Sequence, residues 1–185
     1  AINTVVHMLK YGDGIQKNEQ EAVKYLKLAA DKDDLKSIKK YLFMLKKSKG
    51  IEENKQEFLK YYKLAADKGD LESIKNYAFM LKHDEGIEVN KQELFKYYKL
   101  AADKGDVESI YQCACMLKKG KGIEEDNQKA SQYFKIAAEK GDERSMRIIA
   151  HMLYNGNGIE RNKQEASKYF KLSADNGSVV STRKY

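Results

Sequence analysis

The hexapeptide AADKGD at Ala65–Asp70 returns unchanged at Ala101–Asp106, and in close variants at Ala29–Asp34, Ala137–Asp142 and Ser173–Ser178. Successive copies start 36 residues apart. Ile15, Ile51, Ile87, Ile123 and Ile159 keep the same step, as do Leu9, Leu45, Leu81, Leu117 and Leu153. A fixed period of this length marks a solenoid, whose units bury their apolar faces only against their neighbours. The register divides the chain into a partial repeat at 1–33, repeats at 34–69, 70–105, 106–141 and 142–177, and the opening of another at 178–185. One continuous array is expected, with no linker. Both ends fall inside a repeat, so the register reads as a stretch of a longer array.

The unit Asp70–Gly105 has the plainest punctuation. Leu71, Ile74, Ala78 and Leu81 recur at the helical spacing, which predicts a first helix from the Asp70 cap to about Lys82. HDEGIEVN at 83–90 breaks that period, with Gly86 supplying a positive φ and Ile87 anchoring the turn. Asn90 followed by Glu93 reads as a capping box opening a second helix, and Asn18/Glu21, Asn54/Glu57 and Asn162/Glu165 repeat the pattern. In that helix Leu94, Tyr97, Tyr98, Ala101 and Ala102 form the apolar stripe, and the small Ala pair admits a close neighbour. Gly105 ends the helix in a left-handed cap, and Asp106 caps the next. Asp33 replaces this glycine at the first junction, where strain is expected.

These features resemble the Sel-one-like repeat family, relatives of the tetratricopeptide repeat with a slightly longer unit. Gly120, Gly122, Ile123, Asp126, Ala130, Tyr133, Phe134, Ala137, Ala138 and Gly141 carry the family pattern in one unit, and the others echo it. Ala78, Ala114 and Ala150 stand where the family favours Gly. The resemblance implies an all-α fold, a right-handed α-solenoid of stacked helix-turn-helix repeats, with the first helices lining a concave face.

Charged residues make up 34% of the 185 and the formal charge is +7, but Lys is interleaved with Asp and Glu and only four residues are Arg. Such interspersion makes a solvated helix surface rather than a concentrated nucleic-acid face. No apolar run approaches the ~18 residues of a membrane span. Cys113 and Cys115 point apart on a helix and cannot pair, which fits a reducing, cytoplasmic location. The GxG turns lack the Lys-Ser/Thr of a phosphate-binding loop. His7 and His151 lie four repeats apart and cannot share a metal, and no nucleophile with a base can be assembled. No enzyme activity and no cofactor or metal is expected.

The first helices carry a second stripe on the side away from Ile74. It runs Lys39, Phe43 and Lys46; Lys75, Phe79 and Lys82; Tyr111, Cys115 and Lys118; then Arg147, His151 and Tyr154. A Phe within a charged stripe is informative. Either these rings floor a basic groove, or Phe43 and Phe79 pack between neighbouring helices. The groove reading predicts a scaffold or adaptor that binds a protein or peptide segment with acidic and apolar groups. Single-stranded nucleic acid, stacked on the same rings, is the alternative, as is a purely structural place in a larger assembly.

Overall fold

The computed structural model describes residues 2–49, 55–83, 90–120 and 122–175. It contains α1 (Ile2–Tyr11), α2 (Glu19–Ala30), α3 (Leu35–Lys49), α4 (Lys55–Asp67), α5 (Leu71–His83), α6 (Lys91–Asp103), α7 (Val107–Lys119), α8 (Asn127–Glu139), α9 (Glu143–Asn155) and α10 (Lys163–Asp175). Among the described residues there is no strand. Nor is any of these helices long and apolar enough to cross a membrane. The chain forms two compact units, residues 1–80 and 81–185. In the first, α1 packs on α2, α2 on α3 and α3 on α4; in the second, each of α6 to α9 packs on the helix that follows it. Within each unit these helices therefore meet their sequence neighbours, as a period without long-range pairing requires.

The junction between repeats is built from two residues. The amide of Gly105 donates to the Ala102 carbonyl at 2.8 Å and the amide of Asp106 to the Ala101 carbonyl at 3.1 Å. This is a Schellman closure of α6, and it needs the positive φ of +88° that Gly105 adopts. The Asp106 carboxylate then opens α7: Oδ2 accepts the amide of Ser109 at 2.9 Å and its hydroxyl at 2.6 Å. Asp70 serves Ser73 and Asp142 serves Ser145 in the same way. At the first junction Asp34 caps Ser37 likewise. The four serines are buried, so these bonds satisfy hydroxyls that would otherwise be desolvated at a loss. Asp33 is the one non-glycine with positive φ among the described residues, at +69°, and so carries the strain its sequence position implies.

The hairpins that α1, α7 and α9 form with the helices after them are closed differently from the expected capping box. Asn18, Asn90 and Asn162 do cap α2, α6 and α10, each accepting the amide of the Glu three residues on. Asn54 lies outside the described residues. A capping box also needs that Glu to bond the amide of the cap residue. Instead the Asn18 amide donates to the Leu9 carbonyl at 2.8 Å and the Asn162 amide to Leu153 at 2.9 Å. Asp126 makes the same bond to Leu117 at 3.0 Å. The periodic leucine thus anchors the hairpin through its backbone as well as its side chain.

The two glycines of the turn have separate work. Gly120 and Gly156 end α7 and α9 in the left-handed region. Gly122 and Gly158 instead let the turn approach the second helix of the preceding repeat. A Cβ on Gly158 would lie 2.2 Å from the Asn127 carbonyl oxygen, and one on Gly122 would lie 2.3 Å from Cβ of Lys91. Ser131 on α8 fastens this contact by donating to the Gly158 carbonyl at 3.0 Å.

Behind these junctions sit the cores. In the first unit Leu26, Ile38, Tyr41, Phe58, Tyr61 and Ile74 are fully buried, and in the second Tyr97, Cys113, Phe134, Ile149 and Leu153 are. Each large side chain so buried contributes about 1.5–3 kcal/mol. The Ala pairs at 65–66, 101–102 and 137–138 are buried as the stripe requires. Lys27 pairs with Glu57 across successive second helices, and Lys135 pairs with Glu165 in the same slots at 2.8 Å. Pairs this exposed contribute at most about 1 kcal/mol, so they tune the stack while the apolar contacts hold it.

Gly141→Ala places its methyl in open space, so only the backbone penalty of about 1 kcal/mol applies. Gly158→Ala adds a backbone collision and is expected to lose about 1–3 kcal/mol more, read from urea unfolding followed by circular dichroism. Equal losses would contradict the close-approach role of Gly158.

Candidate functional site

Two grooves between consecutive first helices hold part of the expected stripe. In the first unit an open groove of about 390 Å³ lies between α1 and α3. Its floor is Val6, Leu26 and Met44, and its rims carry His7, Lys10, Tyr11, Lys39, Lys40 and Phe43. Helical spacing puts His7, Lys10 and Tyr11 on one face of α1, and Lys39, Lys40 and Phe43 on one face of α3. Phe43 is 66% exposed and Tyr11 62%. The His7 ring lies 4.7 Å from that of Tyr11, and Lys10 Nζ stands 5.2 Å from the Tyr11 centroid.

In the second unit a groove of about 490 Å³ is floored by Leu94, Tyr98 and Met116. Tyr111, Gln112 and Cys115 form one wall, and Lys82, Lys91 and Lys119 stand at the rim. Burial pushes the Tyr98 phenol up to about 12. Tyr111 rises to about 12 as well, first through burial and then through its hydrogen bond with Cys115. The Arg144 guanidinium lies 4.0 Å from the Tyr111 centroid and is held by Glu108 at 2.6 Å and Asp142 at 2.8 Å.

Of the expected residues, the structure brings Lys39 and Phe43 together in the first groove, and Lys82 and Tyr111 together with Cys115 in the second. Lys46 is exposed one turn beyond Phe43 on α3, and Lys75 and Phe79 are exposed on α5. Phe79 is 62% exposed, so neither Phe of the stripe is packed away between helices. Lys118 and Arg147 are half-buried and line neither groove. The remaining aromatics of the stripe are partly spent on packing. His151 meets Phe170 edge-on at 5.1 Å, and Tyr111 meets Phe134 at 6.0 Å. Tyr154 is exposed, with Lys163 Nζ 5.4 Å from its ring.

Lys39 is also partly committed, since its ammonium binds Asp70 Oδ1 at 2.6 Å. Burial pushes the Asp70 carboxyl upward, but the bonds from Lys39 and Ser73 prevail and hold it below the usual range. His7, Lys10 and Tyr11 were missed by the stripe as read from the sequence. Their signal was available: His7 and Lys10 stand 36 residues before Phe43 and Lys46, in the same slots. Among the described residues no three His, Cys, Asp or Glu side chains gather as a metal site would need.

The family model described as the Sel1 repeat matches residues 7–34, 43–70, 71–106, 107–142 and 144–178. Three solved structures resemble the chain. A Sel1 repeat protein from Oxalobacter formigenes is 25% identical, with a TM-score of 0.69 over 98% of this chain and 75% of that one. A protective antigen of uropathogenic Escherichia coli displaying an SLR fold is 24% identical, with a TM-score of 0.72 over 97% of this chain and 38% of its own. Cysteine-rich protein B of Helicobacter pylori is 23% identical, with a TM-score of 0.54 over 73% of this chain and 94% of its own. Comparison with curated proteins gives no match.

The two thiols are expected to differ sharply. Cys113 is wholly buried and burial pushes it up to about 12, whereas Cys115 is half-buried on the groove wall. A thiol-disulfide reagent at neutral pH is expected to titrate one thiol of the folded chain, assigned to Cys115 by mass spectrometry, and the second only on unfolding. Reaction at Cys113 in the folded state would contradict the burial.

Proposed function

Because this chain belongs to the Sel1 repeat family, whose members generally act as scaffolds for protein–protein contacts, we propose that it is a non-catalytic scaffold or adaptor that binds a protein or peptide segment along its first helices. The binding face comprises Lys39, Phe43, Lys46, Lys75, Phe79, Lys82, Tyr111, Lys118, Arg147, His151 and Tyr154. The observation that supports it is the exposure of Phe43 and Phe79, two large apolar rings in the same slot of successive repeats, each among lysines. Exposed rings are tolerated on a surface singly, but repetition in one slot is what a binding face requires.

The physical division of labour follows from the residue types. Lysines attract an acidic segment over a distance of about a Debye length, and the rings supply the contact that retains it. The partner is therefore proposed to be acidic, with one or two apolar anchors.

Replacing both Phe43 and Phe79 with Ala tests the reading. Proteins retained from a lysate of the source cells by the immobilised chain, quantified by mass spectrometry, are expected to fall about tenfold with the double variant, its helicity being unchanged. Undiminished retention would remove the first helices as the binding face.

A further inference from the structure

The two grooves occupy the same repeat slots, 72 residues apart, yet differ in chemistry. Lys10 and Met44 of the first correspond to Lys82 and Met116 of the second, so rim charge and floor recur. Where the first groove has Lys39, Lys40 and Phe43, the second has Tyr111, Gln112 and Cys115. The first helix supplying those lysines, α3, carries six lysines in fifteen residues and neither Asp nor Glu. Lys39 and Lys40 lie one turn before Phe43, and Lys46 and Lys47 one turn after, so the exposed ring is bracketed by four cations on one helix. Among the acids that meet this ring of charge are Asp70, bound to Lys39, and Glu19, which Lys17 and then Lys47 hold below its usual range.

Resting on the scaffold reading, we propose that the groove of the first unit is the specificity site of the protein, where an acidic segment of a protein partner inserts one aromatic side chain between Tyr11 and Phe43 while its carboxylates engage Lys10, Lys46 and Lys47. The charge of α3 is one-sided, so a segment bearing carboxylates on both sides of its anchor matches it, and an apolar segment leaves it uncompensated. The groove volume of about 390 Å³ is at the lower end of ligand-sized clefts, which suits one anchoring ring rather than a helix face. A nucleic-acid strand is the poorer match. The lining of the groove offers two exposed rings, Tyr11 and Phe43, which are too few to stack a run of successive bases. The second groove lacks both the Phe and the paired lysines of α3, and its Tyr111 is engaged by Arg144 and Phe134.

The test uses the full chain and a fluorescein-labelled twelve-residue peptide with a central phenylalanine flanked by three carboxylates on each side, followed by anisotropy. The peptide is expected to bind the wild-type chain. Phe43→Ala and the double variant Lys46→Glu, Lys47→Glu are each expected to weaken it about tenfold or more, while Lys119→Glu in the second groove leaves it within about twofold. All four substitutions are at exposed positions, and circular dichroism checks that each variant keeps its helicity. No binding to the wild-type chain, equal binding of the peptide with alanine as its central residue, equal weakening by Lys119→Glu, or displacement by oligothymidylate at comparable concentration would each overturn the proposal. Natural partners retained through Phe43 and Phe79 but not displaced by the peptide would overturn this inference alone and leave the scaffold reading standing.

Discussion

At the junctions before α5, α7 and α9 a single aspartate belongs to two helices at once. The backbone amide of Asp106 completes the closure of α6, and its carboxylate begins α7 through the amide and hydroxyl of Ser109. Helix ends leave unsatisfied amides and carbonyls that must find partners or be desolvated at a loss. Here both kinds are satisfied by adjacent residues, Gly and Asp, with no loop between. The exit direction of one helix is thereby coupled to the entry direction of the next, and repetition of that coupling produces a stack.

The same economy fixes what the surface can offer. Where successive repeats place the first helix by the same junction and close the hairpin by the same Leu carbonyl, as at Leu9, Leu117 and Leu153, a given slot occupies an equivalent place from one repeat to the next. Slots facing the core are restrained by packing and keep their chemistry: Ile38, Ile74, Ile110 and the Ala pairs are all buried. Slots facing outward are free to differ, and they do. Phe43, Phe79, Cys115 and His151 share one slot, but the first two stand exposed, while Cys115 is half-buried beside Tyr111 and His151 packs on Phe170. A repeat array differentiates by varying what it exposes on a constant frame. In this chain the variation concentrates lysines on α3, around the exposed ring of Phe43.

Much of the frame was legible in the sequence because it repeats. The helix starts at Leu35, Leu71, Val107 and Glu143 fall on the period read from the hexapeptide, and Gly69, Gly105 and Gly141 take the left-handed caps expected of them. What the residues alone did not disclose were partnerships decided by three-dimensional competition. Asn-x-x-Glu carries the letters of a capping box, but the amide it would use is claimed by the first helix of the hairpin. The second turn glycine looked like a conformational requirement, whereas at Gly158 it is also a clearance for the backbone of α8. The surface was legible only as a stripe of slots: nothing in the spacing showed that Arg144 would cover Tyr111 or that Asp70 would hold Lys39. The serines at 37, 73, 109 and 145 were periodic and went unread, because a lone serine within a helix carries no obvious purpose until its cap partner is seen.

If the junction is the organising element, loosening one cap has consequences on both sides of it. Native-state hydrogen exchange of the Asp106→Ala variant measures this directly. Amide protection is expected to fall together in the last turn of α6 and the first turn of α7, with the remoter turns of both helices retaining theirs. Loss confined to the first turn of α7, with the α6 end unaltered, would show that the two helix ends are satisfied independently and would contradict the account.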